Sequence, residues 1–285
     1  MSSLALSHIG LWPIKLKCSS LRRTMSLFRR GAVCNAKVGR RLLSAVADRR
    51  FVNIQNAPDG FDASSAVVYP HFLTEDEGKA MIEEAGRRLK RRRFEDGHWD
   101  AVIKQYREVE LPTPDDQFPR QNDVEHDDTG VYVPPYVKVI EKTRRHLENH
   151  QLNDSSSTNS ILWLPCHAID LSANGELTAH VDSIKFSGGI VAGISLLSDS
   201  IMRLKPSAEE WESNAKVDDS NGRVDLYLPR LSLYVLSGMS RYSYTHELLP
   251  SNATYEFMEM ERNMCINVIR GRRLSIIFRD AKTAV

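Results

Sequence analysis

The sequence predicts an α+β fold, mainly β, in which helices in the N-terminal half support an antiparallel jelly roll. From residue 161 onward the chain consists of many short apolar segments of strand-like composition, with no helix-length segment between them. Before that point, two amphipathic segments begin with helix-start signals. The 285 residues, 41% of them hydrophobic, are enough for one sizeable core.

The helical part comes first. Thr74 and Glu77 have the spacing of a capping box, in which each side chain bonds the backbone N–H of the other residue. A helix is therefore expected over 75–93. A second is expected over 135–150, because it opens with a proline, which is favoured in the first turn. Both lie within 65–150, which we assign as helical support.

The jelly-roll core is assigned to 161–280, within a single domain that spans 48–285. Its expected strands are 161–164, 167–171, 177–182, 189–197, 202–204, 224–228, 231–236, 242–248 and 273–279. The segment 184–197 is apolar, rich in β-branched residues and broken by glycines, which favours a strand buried on both faces over a helix. Residues 250–262 are expected to form a loop on the rim.

The first 47 residues differ from the rest in charge. They contain nine Lys and Arg and no acidic residue. Because the whole chain has a formal net charge of +1, the remainder of the chain has a net charge of about −8. A basic, acid-free head containing Ser and Leu is typical of a mitochondrial transit peptide, removed or disordered in the mature protein. A disordered basic tail or a nucleic-acid-binding arm is the alternative. No apolar segment reaches the ~18 residues of a membrane span.

A short motif just before the buried strand carries candidate metal ligands. In an extended chain His180 and Asp182 point to the same face, about 6–7 Å apart along the strand. An imidazole and a carboxylate on one face are two thirds of the facial triad that binds non-haem Fe(II). A second His-x-Asp, His98 and Asp100, lies among charged residues with no buried strand after it, and we interpret it as a surface feature.

Two later segments could complete the site. His246 lies in a short alternating segment and can supply the second imidazole. The final strand alternates at period two, so Arg273 and Arg279 share one face, and two guanidiniums there could bind a dicarboxylate. Ser275 and Ile277 lie on that face too, with Leu274, Ile276 and Phe278 on the other.

These stretches resemble the AlkB family of Fe(II)- and 2-oxoglutarate-dependent dioxygenases, most closely its mitochondrial homologue branch. The similar stretches are HVDSIKF, GISLLSDSIMRL, SLYVLSGMSRYSYTHEL and RGRRLSIIFRD, within residues 65–280. The resemblance implies a double-stranded β-helix and an oxidoreductase that hydroxylates a C–H bond, with succinate and carbon dioxide as co-products. Fe(II) is the implied cofactor, and 2-oxoglutarate and dioxygen are the implied co-substrates.

The resemblance also implies roles for particular residues. The implied iron ligands and catalytic residues are His180, Asp182 and His246, and the implied 2-oxoglutarate contacts are Tyr234, Arg273, Leu274, Ser275 and Arg279. Among these, Arg273 would bind the distal carboxylate and Arg279 would lie nearer the metal. The alternatives are a structural zinc site, an empty jelly-roll pocket and, for Tyr234, an ordinary core aromatic residue.

The chain departs from the nucleic-acid-repairing members at two places. Ile169 and Leu171 stand where those enzymes have an Asn-x-Tyr pair that contacts 2-oxoglutarate. The region of their nucleotide lid, about 100–135, is acidic here, and an acidic body repels phosphates. DNA is therefore not expected as a substrate, whereas RNA stays open because of the basic cluster at 87–93.

A protein is the first expected substrate. A mitochondrial RNA (tRNA) demethylase and a non-catalytic interaction protein that keeps the fold are the alternatives. We expect a monomer in the mitochondrial matrix. The resemblance further implies a link to fatty acid metabolism and to regulated necrosis after alkylation damage.

Overall fold

A computed structural model describes residues 47–97, 102–113, 133–152, 161–207, 222–259 and 262–282. In these ranges the helices are α1 (Glu75–Leu89), α2 (Pro135–Leu152) and the short α3 (Gly238–Tyr242), with a 3-10 turn at Arg49–Phe51. The strands are β1 (Val52–Asn53), β2 (Ala66–Tyr69), β3 (Ile103–Leu111), β4 (Cys166–Leu177), β5 (Ser187–Leu196), β6 (Ser200–Pro206), β7 (Val224–Leu228), β8 (Ser232–Leu236), β9 (Tyr244–Leu248), β10 (Ala253–Glu259), β11 (Arg262–Val268) and β12 (Arg273–Ala281).

Two antiparallel sheets enclose one core. Among the described residues, the larger sheet has the strand order β2-β8-β5-β12-β4-β3 and the smaller one β1-β7-β6-β9. Side chains from both sheets meet in a single apolar cluster, for example Val191 and Tyr234 from the larger sheet and Met202 and Leu226 from the smaller. The predicted mainly-β jelly roll is confirmed, since both sheets direct one face of every strand inward.

The helices cover the outer face of the larger sheet. Met81 of α1 and Ile140 of α2 are buried in one cluster with residues of β12. Those β12 residues are Leu274, Ile276 and Phe278. The period-two alternation of β12 therefore divides its side chains as predicted: the apolar set faces the helices, and the set that contains Arg273 faces the interior.

Helix α1 begins where the sequence predicts and ends earlier. The Thr74 N–H donates to Glu77 Oε2 at 2.8 Å and the Glu77 N–H to Thr74 Oγ1 at 3.2 Å, which confirms the capping box. The helix ends at Leu89 rather than at residue 93. Nη1 of Arg107 on β3 donates to the carbonyl oxygens of Leu89 and Arg92, so a distant strand binds carbonyls at this helix end.

The predicted strand over 177–182 is wrong, because β4 ends at Leu177. The chain then leaves the larger sheet and meets β9 of the smaller one. His180 and His246 exchange two backbone hydrogen bonds there, of 3.2 and 2.8 Å, as an isolated bridge. The predicted strand over 242–248 is shorter than expected, because α3 occupies its beginning.

Two further predictions need correction, and one strand was not predicted. The described residues of 250–262 are mainly strand and not loop: β10 and β11 pair as an antiparallel hairpin, whose polar, largely exposed strands lack the apolar pattern of a core strand. The strand that was not predicted is β3. Of 161–164, only Trp163 makes a bridge, to Asp280.

Some predictions lie outside the described residues, namely the transit peptide up to residue 46, the segment from His98 to Asp100, and most of the acidic region at 114–132. The described residues all belong to one compact unit, Ala45–Val285. None of the helices in the described ranges is both long and apolar enough to cross a bilayer.

Candidate active site

Two imidazoles and a carboxylate meet at one end of the jelly roll. Ligand atoms of His180, Asp182 and His246 all lie within 4.8 Å of one another. His180 Nε2 is 3.5 Å from Asp182 Oδ1, and the two imidazole rings are 4.2 Å apart between centroids. Two nitrogens and one carboxylate oxygen on one side of a point can hold a divalent transition metal and leave the opposite positions open.

Backbone structure fixes the two histidines. His246 belongs to β9, and its backbone bridge to His180 joins the end of β4 to the smaller sheet. Nδ1 of His180 is 2.8 Å from the carbonyl oxygen of Thr178. A carbonyl can only accept, so Nδ1 carries the proton and Nε2 keeps its lone pair free for a metal.

The charges of the site suit metal binding at neutral pH. Burial, reinforced by the neighbouring His180, lowers the pKa of His246 to about 3, so its imidazole is neutral. Burial alone would raise the pKa of Asp182, but the neighbouring His180 and the charge of Arg279 hold it well below its usual range. The site therefore offers a neutral imidazole and an ionised carboxylate without first losing protons.

Two arginines hold the metal-binding carboxylate and its loop. Nε of Arg279, on β12, donates to Asp182 Oδ2 at 2.9 Å. Arg241, on α3, is buried and donates from Nη1 to the Asp182 carbonyl oxygen at 2.9 Å and from Nη2 to Ser187 Oγ at 2.8 Å. Arg241 was not predicted as a site residue, because a single arginine between two predicted strands gave no sign of facing inward.

A second polar region lies inside the sheets along β12. Arg273 is only 5% exposed, and its Nε donates to Ser200 Oγ on β6 at 3.1 Å. Its Nη2 is buried and has no hydrogen-bond partner among the described residues. Burial lowers the pKa of Arg273, because a charge is less well solvated inside the protein than in water. An anion would offset the cost of burying this guanidinium, and a ligand carboxylate fits this position.

Tyr234 stands over the middle of this region. Its ring lies against the backbone of Gly193 on the paired strand β5, where an added Cβ would be 2.5 Å from the ring. Glycine is needed here because no side chain could occupy the space of that ring. Burial raises the pKa of Tyr234, so the phenol stays protonated and can donate to an oxygen anion.

The remaining predicted contacts divide between the two faces of the sheet. Ser275 shares the interior face with Arg273, whereas the side chain of Leu274 is buried against the helices and does not point into the site. Ile169 and Leu171 on β4 lie directly opposite Ser275 and Arg273. The two positions that depart from the repair enzymes therefore give this region an apolar side.

A jelly roll with a His-x-Asp and a distant His at one end, and a buried arginine on its last strand, has the construction of an Fe(II)- and 2-oxoglutarate-dependent dioxygenase. The chain is 32% identical over 217 residues to a protein of Mus musculus, "Alpha-ketoglutarate-dependent dioxygenase alkB homolog 7, mitochondrial", covering 75% of this chain and 78% of that protein. The Bos taurus protein of the same name is 33% identical over 218 residues, covering 76% and 78%. The chain belongs to this alkB homolog 7 family of dioxygenases.

Solved structures with a similar arrangement include a Pseudomonas putida prolyl-4-hydroxylase, with 13% identity, a TM-score of 0.45, and 77% of this chain and 94% of that one covered. Another is OsALKBH1, with 13% identity, a TM-score of 0.45 and coverage of 77% and 98%. No family model matches the chain. By its family, the protein is a mitochondrial oxidoreductase that uses Fe(II), 2-oxoglutarate (alpha-ketoglutarate) and dioxygen.

Proposed function

We propose that this dioxygenase hydroxylates a C–H bond of a protein substrate. In this proposal His180, Asp182 and His246 bind Fe(II). Arg273, with Ser275 and Tyr234, binds the distal carboxylate of 2-oxoglutarate. Iron with 2-oxoglutarate and dioxygen supplies the oxidising chemistry, and succinate and carbon dioxide are the co-products.

The protein's own groups orient the reactants. Arg279 holds the Asp182 carboxylate in one rotamer through the Nε–Oδ2 hydrogen bond, and Arg241 holds the backbone that follows it. The phenol of Tyr234 remains a hydrogen-bond donor because its pKa is raised. The side chains of Ile169 and Leu171 keep one side of the co-substrate region apolar, which limits the access of water.

The rim of the site carries the proposal of a protein substrate. The loop directly after Asp182 exposes two large apolar side chains, Ile184 (55% exposed) and Phe186 (69% exposed). Tyr242, beside the Arg241 that binds this loop, is also exposed. Exposed apolar groups next to a reactive centre suit the apolar side chains of a polypeptide.

The test compares cells that express the wild-type enzyme with cells that express His180→Ala. Mitochondrial proteins from both are analysed for peptides heavier by one oxygen atom, and mitochondrial RNA for changes in methylation. Protein oxidation that depends on His180, with unchanged RNA methylation, is the expected result. A difference confined to RNA methylation would contradict a protein substrate. A Phe186→Ser enzyme should still convert 2-oxoglutarate but lose the peptide oxidation.

A second candidate substrate is mitochondrial tRNA. Arg91, Arg92 and Arg93 follow α1, are exposed, and form no salt bridge with any residue that the structure describes. Salt-dependent binding of tRNA, reduced when these three are changed to glutamine but not by Lys79→Gln on the same helix, would favour this candidate. Absence of binding in low salt would remove it.

The proposal includes a location in the matrix, with residues 1–47 as the transit peptide. Nine positive charges and no negative charge in this segment support it. A fluorescent protein that carries these residues should be imported and become resistant to external protease. Changing Arg22, Arg23, Arg29 and Arg30 to glutamine should prevent import. Protease-sensitive fluorescence on the outer surface would contradict the assignment.

We also propose that the protein is a monomer. Edge strand β3 has a bulge between Lys104 and Tyr106, with Gln105 at φ 53°, and a bulged edge resists pairing with another copy. Light scattering coupled to gel filtration should give a single mass no greater than 32.3 kDa. A concentration-independent dimer would contradict this.

The resemblance to the mitochondrial branch extends the proposal to cell physiology. Cells that express His180→Ala should resemble cells without the protein in fatty acid oxidation and in necrosis after an alkylating agent. Wild-type behaviour of the His180→Ala cells would separate these processes from the chemistry of the site.

A further inference from the structure

Three serines form a row across adjacent strands of the larger sheet. Ser232 of β8 pairs with Ser195 of β5, which pairs with Ser275 of β12. Neighbouring strands are about 4.8 Å apart, so the row extends over roughly 10 Å. All three residues face the interior, because Tyr234 lies two residues after Ser232 on the same strand and Arg273 two residues before Ser275.

Among the described residues the hydroxyls of this row lack well-formed hydrogen bonds, and only that of Ser275 has a polar neighbour close by, the Tyr234 phenol. Ser195, Ser232 and Ser275 are 0%, 0% and 1% exposed, and none of their Oγ atoms has a hydrogen-bond partner among the described residues. The neighbouring Arg273 Nη2 has none either. Buried polar groups without partners are rare because each loses its hydrogen bonds to water. The three hydroxyls and Arg273 Nη2 lie on one interior face, which indicates that a ligand binds here in the active protein.

The chemistry of the four groups defines that ligand. A guanidinium N–H can only donate, and hydroxyls can donate in any direction to which they rotate. An ionised carboxylate accepts only and has about four lone-pair sites, so it can use a guanidinium and neighbouring hydroxyls together. Water could partner the serines, but it does not neutralise the buried charge of Arg273.

We propose that Ser195 and Ser232 are positioning residues for 2-oxoglutarate, which with Ser275 and Arg273 hold its distal carboxylate. Ser195 lies next to β12 and donates directly. Ser232, one strand farther away, acts through Ser195: in the liganded protein its hydroxyl turns toward Ser195 Oγ, a contact that the two do not make without the ligand. These donors replace the Asn-x-Tyr contacts that Ile169 and Leu171 cannot make. The assignment rests on the proposed binding of 2-oxoglutarate by Arg273, but it does not depend on whether the substrate is protein or RNA.

The test measures 2-oxoglutarate binding to the full-length protein loaded with Mn(II) in place of iron, without oxygen. Ser195→Ala should raise the Kd about tenfold, the equivalent of about 1.4 kcal/mol, and Ser232→Ala should raise it by a smaller factor. The Tm without 2-oxoglutarate should stay unchanged or rise, because each change removes a buried hydroxyl that has no partner. Mn(II) affinity should not change.

Two controls make the result specific. Ser65 is also a buried serine, but its hydroxyl bonds the Asp62 carbonyl and Ser240 Oγ, so Ser65→Ala should lower the Tm and leave the Kd unchanged. Pyruvate has the same 2-oxo acid end and no distal carboxylate, so Ser195→Ala should not change its affinity.

Three results would overturn the proposal. The first is a Kd for 2-oxoglutarate within twofold of wild type in both serine variants. The second is equal weakening of pyruvate. The third is a loss of Tm like that of Ser65→Ala with no change in Kd, which would show that the hydroxyls only stabilise the fold.

Discussion

Replacing Arg279 with glutamine removes the hydrogen bond that its Nε donates to Asp182 Oδ2 at 2.9 Å. Hydrogen bonds to charged groups contribute about 1.5–3 kcal/mol, which corresponds to roughly 10- to 150-fold in an equilibrium constant. Residues that orient metal ligands typically change metal affinity by about 10- to 100-fold. Because the Arg279 side chain is 30% exposed, we expect the lower part of this range, about tenfold weaker binding of Mn(II).

The substitution should also make metal binding more sensitive to acid. Burial favours the protonated form of Asp182, and the contacts with His180 and Arg279 oppose it and keep the pKa below its usual range. Without Arg279 the pKa of Asp182 rises, so the carboxylate is protonated, and the metal is lost, at a higher pH than in wild type. Calorimetric titration with Mn(II) in the absence of oxygen, repeated from neutral to acidic pH, measures both effects.

The matched control is Arg272→Gln. Arg272 also forms an ion pair with an aspartate: its Nε and Nη2 donate to Asp170 at 2.7 and 2.8 Å. The Asp170 side chain is fully buried and bonds Arg107 and Arg272, not a residue of the triad. Arg272→Gln should lower the free energy of unfolding and leave Mn(II) affinity unchanged. The reasoning fails if Arg279→Gln binds Mn(II) within twofold of wild type at every pH, or if both variants weaken it equally.

Four other predictions concern the rest of the site. His180→Ala should abolish the rise in Tm that Mn(II) with 2-oxoglutarate produces in the wild type, measured by scanning fluorimetry; a full rise in the variant would place the metal elsewhere. Arg273→Ala should weaken 2-oxoglutarate at least tenfold in the same assay and leave Mn(II) binding intact, since a charged hydrogen bond is worth about 1.5–3 kcal/mol; unchanged affinity would exclude Arg273 as the anchor. Gly193→Ala should displace the Tyr234 ring, because the added Cβ would lie 2.5 Å from it. The free energy of unfolding in urea should fall by about 1–3 kcal/mol. A variant as stable as the wild type would contradict this packing. The pKa of His246 is about 3 in the folded, metal-free protein and about 6.5 in the unfolded chain. Between these two pH values the unfolded chain binds one more proton than the folded protein, so the free energy of unfolding should fall by about 1.4 kcal/mol for each unit by which the pH decreases. His246→Asn should reduce this slope in denaturant titrations, and an unchanged slope would contradict the prediction.

Local patterns predicted the features that depend on neighbours in sequence. The capping box of Thr74 and Glu77 fixes the start of α1, since both partners lie within one turn. Period-two alternation in β12 correctly separated the face of Arg273 from that of Leu274, because successive side chains of any strand point in opposite directions. The jelly roll followed from the number, length and spacing of the apolar segments.

The closeness of His180 and Asp182 was predicted correctly but for the wrong reason. His180 and Asp182 do lie close together, but not on one continuous strand. The chain leaves β4 at Leu177, and a backbone bridge to His246 turns it toward the smaller sheet. Nothing within a few residues of His180 specifies that bridge, because its partner is far away in the chain.

The sequence by itself determined which residue types are available for the chemistry, where the helix and strands that carry most of them lie, and which face of β12 points inward. Only the tertiary structure decided that Arg241 holds the loop after Asp182 and that the serines of β8, β5 and β12 fall in one row. The physical reason is that alternation and capping act over a few residues. Strand register and the meeting of two sheets are set instead by packing and hydrogen bonds between segments far apart in the chain.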